Sequence, residues 1–127
     1  MSEKELNDAK KEYLNRYKKA YLKWLSLCEQ ENSIRLEIES VSNPGISDMP
    51  RDAKKQDLSD YMIRLEKILD KIKMAKKEKN SVRAEIEERI IDMEDGVQSR
   101  ILWLRYIEFK EWVEICTMIG YSWNRTH

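Results

Sequence analysis

The sequence is short of everything that breaks a helix. Its 127 residues include 3 Gly and 2 Pro, too few for the closely spaced turns of a β-sandwich or barrel. Cysteine is equally scarce. Cys28 and Cys116 stand far apart, which excludes a disulfide framework and a CxxC metal site and leaves two small apolar residues suited to a core. The one histidine is His127, the last residue, so a Ser-His-Asp or Cys-His arrangement would have to draw its base from a chain end. There is no Gly-rich phosphate loop. No run approaches the ~20 apolar residues of a membrane span. Met1 to Lys11 is charged and lacks the apolar centre of a signal peptide. Net charge is also missing: 24 Lys and Arg face 24 Asp and Glu. A chain of zero net charge is no general nucleic-acid glue, and any such binding must come from a local patch. The expectation is a cytoplasmic, all-α protein that is not an enzyme, with no cofactor, no metal and no membrane partner.

What the chain does have is charge and periodicity. Charged residues make up 38% and apolar residues 41%, a balance typical of long helices with one buried stripe. From Ser2 to Val41 there is no Gly or Pro. Leu6, Tyr13, Ala20, Leu27, Ile34 and Val41 recur every seven residues, and Tyr17, Trp24 and Ile38 follow a second series offset by four. Such spacing predicts one helix with a single packing seam, interrupted by Lys10 and Glu31. A loop is expected over about residues 42–53, where Pro44, Gly45 and Pro50 lie among Ser, Asn and Asp. From about Ala53 to Glu94 the pattern returns. Leu58, Leu65, Ile72, Ile86 and Met93 form one series, with Lys79 as its polar member; Tyr61, Ile68, Ala75 and Val82 form the other, ending at Arg89.

Two seamed helices joined by a short loop predict a long antiparallel coiled-coil hairpin over residues 1–95. Centring the loop near Met49 pairs positions whose numbers add to about 99. Trp24 then faces Ala75, Tyr17 faces Val82, Tyr13 faces Ile86, and Leu6 faces Met93. Large meets small at Trp24 and Ala75, as dense packing requires.

Residues 96–127 read differently. Gly96 is placed to end or bend the second helix. Beyond it come Trp103, Tyr106, Phe109, Trp112, Tyr121 and Trp123. One helix is expected over Ile101–Glu108, with Phe109 and Lys110 as the turn. A second runs over Trp112, Ile115, Cys116 and Ile119 and ends at Gly120, whose place before Ser122 calls for a left-handed turn. Ser122 is a good N-cap for a third helix. This order is that of a small helix-turn-helix.

Residues 101–122, ILWLRYIEFKEWVEICTMIGYS, resemble region 4 of bacterial sigma-70-type factors. Leu104-Arg105-Tyr106 match the first part of that motif. Trp112, Ile115, Met118, Ile119, Gly120, Tyr121 and Ser122 match the second, with Cys116 at a small packing position that is usually Ala. Together with the charged hairpin and the Met49-Pro50-Arg51 loop, the whole chain resembles small transcription regulators of Gram-positive phages, the ArpU-like late regulators. The resemblance implies a sigma-like regulator in the host bacterial cytoplasm, with promoter DNA and host RNA polymerase as partners. The family's recognition helix runs on past the position of His127, so an incomplete recognition helix is expected. Ser122, Trp123, Asn124, Arg125 and His127 are the positions that correspond to its start and to DNA contact. Arg suits guanine or phosphate, and Asn suits adenine edges.

The charges add one local feature. Lys18, Lys19 and Lys23 on the first helix and Lys73, Lys76 and Lys77 on the second come side by side in the expected register, making a basic band suited to phosphate. Residues 97–127 carry four Arg and Lys against three Glu, weak for a free-standing DNA binder. The competing expectation is a non-catalytic interaction module. Its hairpin would bind a coiled-coil partner, homodimerise or antagonise a host machine without reading DNA.

Overall fold

A computed structural model describes residues 2–42 and 51–120. Among these residues there are five helices and no strand: α1 (Glu3–Leu14), α2 (Arg16–Ser42), α3 (Arg51–Ile91), α4 (Gly96–Tyr106) and α5 (Trp112–Met118). None of the described helices is long and apolar enough to cross a membrane. The all-α expectation is met. At 1.5 Å per residue the 41 residues of α3 span about 60 Å.

The periodicity predicted one continuous first helix, but the helix is broken. Ser2 starts α1 with a capping box: its hydroxyl accepts from the Glu5 N–H at 3.2 Å, and its own N–H donates to the Glu5 carboxylate. The helix then ends at Leu14, and Asn15 forms a turn with φ −78° and ψ −4°. Asn competes for backbone hydrogen bonds and is a weak helix former. The disturbance is slight, because the Asn15 N–H still donates to the Lys11 carbonyl at 2.9 Å and Lys19 donates to Asn15 at 3.1 Å. No residue of α1 is buried, and Leu6 is 46% exposed. The seam therefore starts at Tyr13 rather than Leu6.

The chain divides into two compact units, Met1–Tyr21 with Glu78–His127, and Leu22–Lys77. In the first, Tyr17, Val82, Ile86, Ile90 and Ile107 form the core, and Tyr13, Leu14, Tyr21, Leu102, Trp103 and Phe109 pack around it. The helices here are antiparallel: Arg16 meets Glu85 at 3.1 Å, Tyr17 meets Arg83 at 3.2 Å, and Arg89 lies over the Tyr13 ring. In the second unit Ile34, Leu65 and Ala75 are buried, and Glu37, late in α2, pairs with Arg64, early in α3, at 3.6 Å. The residue numbers of these pairs add to between about 100 and 102. That lies within a few residues of the expected register, a difference that long side chains span. Ala75 is 4% exposed and Trp24 half-buried.

One seam position is displaced. The periodicity placed Arg89 on the seam, yet Arg89 is exposed and Ile90 is buried. The buried stripe of α3 runs Val82, Ile86, Ile90, in steps of four. Such steps drift around a helix relative to a seven-residue repeat, and here they keep α3 against Tyr17 and Ile107 together.

Gly96 begins α4 instead of ending α3. Asp95 is the N-cap, its carboxylate accepting from the N–H groups of Val97 and Gln98 at 2.9 and 3.1 Å. The helix expected over Ile101–Glu108 thus starts earlier and stops at Tyr106. Gly120 has φ +79°, the left-handed turn its position called for. The third helix expected from Ser122 lies outside the described residues.

Candidate nucleic-acid interface

The α4–α5 pair is built around a tight connection. Leu104 and Tyr106 of α4, and Ile115 and Cys116 of α5, are buried. Phe109 takes φ +59°, the left-handed region, and the Lys110 N–H turns back to the Leu104 carbonyl at 2.9 Å. Arg105 fastens the same corner. Its guanidinium donates to the Lys110 carbonyl at 3.1 Å, lies 4.9 Å from the Trp112 ring centroid and pairs with Glu111 at 3.7 Å. Arg100 donates to the Met118 carbonyl at 3.3 Å, at the C-terminal end of α5, where free carbonyls and a cation attract. Trp103 packs against the first unit's core. Trp112 does not: it is 40% exposed beneath Arg105.

The five positions expected to contact DNA, Ser122, Trp123, Asn124, Arg125 and His127, lie outside the described residues. The six band lysines are described, and all are exposed. Lys18 and Lys19 belong to the first unit. Lys18 sits 6.0 Å from the Phe109 ring centroid. Lys23, Lys73, Lys76 and Lys77 belong to the second. Lys73, Lys76 and Lys77 stand three and four residues apart, so α3 presents them on one face. No band lysine forms an ion pair among the described residues, so their charges are open to phosphate. Arg16 and Arg83 differ, being engaged by Glu85 and Glu87 at 3.1 and 2.6 Å. The hydrogen bond to Glu87, more than that to Tyr17, raises the Arg83 pKa against the opposing effect of burial. Arg83 therefore keeps its charge at any working pH.

The seven-residue spacing put Tyr13 and Tyr17 on the packing seam, and Tyr17 is among the most deeply buried residues. Sequence reasoning missed the cations that serve these rings. Arg16 and Arg89 lie 5.4 and 6.0 Å from the Tyr13 ring centroid, and Arg83 lies 5.5 Å from that of Tyr17. The Tyr13 hydroxyl is enclosed with no hydrogen-bond partner among the described residues. Cys116 is buried and Cys28 half-buried.

The chain matches no protein-family model, no curated protein and no solved structure.

Proposed function

We propose that the chain is a sigma-like transcription regulator of a Gram-positive phage, binding promoter DNA, host RNA polymerase or both, without catalysis. The observation that supports this most is local. The segment resembling sigma region 4 folds as α4, a left-handed turn at Phe109, α5 and a left-handed Gly120. Leu104, Tyr106, Ile115 and Cys116 form its buried side. The exposed lysines without ion pairs add a means of holding phosphate. Asn124 and Arg125 are the proposed base or phosphate contacts, with Ser122, Trp123 and His127 beside them.

Fluorescence anisotropy with late-promoter DNA, at several salt concentrations and with and without host polymerase, tests the reading. Binding that weakens steeply with salt supports phosphate contact. Joint alanine replacement of Lys73, Lys76 and Lys77 should reduce both affinity and the salt slope. If neither DNA nor polymerase binds above a scrambled control, the reading fails.

A second reading is a protein-interaction module. A groove of about 510 Å³ between α2 and α3 in the Leu22–Lys77 unit favours it.

A further inference from the structure

The groove has an apolar floor and two rims of opposite sign. Buried Ile34 and half-buried Ile68 form the floor. On the α2 rim stand Glu29 and Glu37; on the α3 rim stand Arg64, Lys67 and Lys71. The Glu37–Arg64 pair joins the rims at 3.6 Å. Glu29, Lys67 and Lys71 are exposed and form no ion pair among the described residues. Ser26 and Ser33 keep the α2 rim low, which leaves room for another helix at the usual 8–10 Å spacing.

We propose that this groove is a self-association face, occupied by the same groove of a second copy of the chain in a four-helix assembly. The charges choose both the occupant and the symmetry. With the two-fold axis parallel to the helices, each α2 lies antiparallel on the α3 of the other copy, in the register α2 and α3 already keep within the chain. Glu29 then stands opposite the partner's Lys71, and Lys71 opposite the partner's Glu29. A two-fold axis across the helices would stack α2 on α2 and α3 on α3. That would bring Glu29 and Glu37 together, and Lys67 and Lys71 together, and like charges repel. An isologous interface needs one self-complementary patch, and an acidic rim beside a basic rim supplies it.

The proposal rests on the interaction-module reading and names its face and occupant. Sedimentation equilibrium of the full chain tests the self-pairing alone, while capture of the wild-type chain by immobilised polymerase tests for a different partner. The wild type is expected at twice the 15.3 kDa of one chain. Lys67→Glu with Lys71→Glu should weaken self-association by at least about tenfold, as should Glu29→Lys, with helical circular dichroism unchanged. Mixing the two variants should restore the dimer as a heterodimer, a result that misfolding of either could not produce. A monomeric wild type, or a dimer untouched by both reversals, overturns the proposal.

Discussion

Phe109 stacks on Tyr17 with ring centroids 5.3 Å apart and planes at 28°, and it does so from a backbone φ of +59°. The ring also lies 5.3 Å from that of Tyr21. Two opposing effects meet at one residue. A left-handed non-glycine backbone costs roughly 1–2 kcal/mol, and the aromatic contact offsets it. Removing the ring while keeping a Cβ loses the contact and retains the strain. Phe109→Ala should therefore destabilise by about 2–4 kcal/mol. Phe109→Gly should be less harmful, by about 1 kcal/mol. Urea denaturation of both variants checks the order; an Ala variant more stable than the Gly variant contradicts it.

Gly120 isolates the backbone effect. Its φ is +79°, and a Cβ placed there meets nothing within 4 Å. Gly120→Val should cost about 1–2 kcal/mol through strain alone, and Gly120→Asn clearly less. Hydrogen exchange of the α5 amides, compared across the three proteins, gives the measurement.

The displaced seam of α3 makes a sharp contrast between neighbours. Ile90 is buried, whereas Ile91 is 67% exposed. Ile90→Ala should destabilise by about 2–5 kcal/mol, and Ile91→Ala by less than about 0.5 kcal/mol. Equal losses in thermal unfolding would show that the stripe does not turn at Ile90.

Ala75 tests the second unit. It is buried at a seam position that the periodicity set opposite Trp24. Ala75→Trp should overpack the seam and cost about 1–3 kcal/mol. An unchanged melting temperature would remove the tight packing inferred there.

The long helices were legible because their information is repeated. Tyr13, Tyr17, Ala20 and Ile34 keep to one face at helical spacing, so a single polar member such as Glu31 does not hide it. Features written once were not legible. Asn15 interrupts the helix as a single weak helix former, and no neighbour signals it. Asp95 is an ordinary N-cap, but Gly96 beside it carried the stronger apparent signal and pointed to a helix end. Ile90 replaces Arg89 on the seam because Ile107 arrives from distant sequence, which local spacing does not register. The turn at Phe109 and Lys110 was readable from position, though the φ of Phe109 was not, since its reward is a contact with Tyr17 far away in the chain. Of the candidate interface, the lysines were legible as exposed, and the fastening of Trp112 by Arg105 was not.

The narrow buried stripe of α2 and α3 sets how the protein responds to temperature. A helix that hides one face uncovers comparatively little apolar surface on melting, so its heat-capacity increment should fall below the ~12–15 cal/mol/K per residue of ordinary globular domains. With a small increment, the enthalpy of unfolding changes slowly with temperature. The stability curve is then broad and flat, and cooling weakens the fold little.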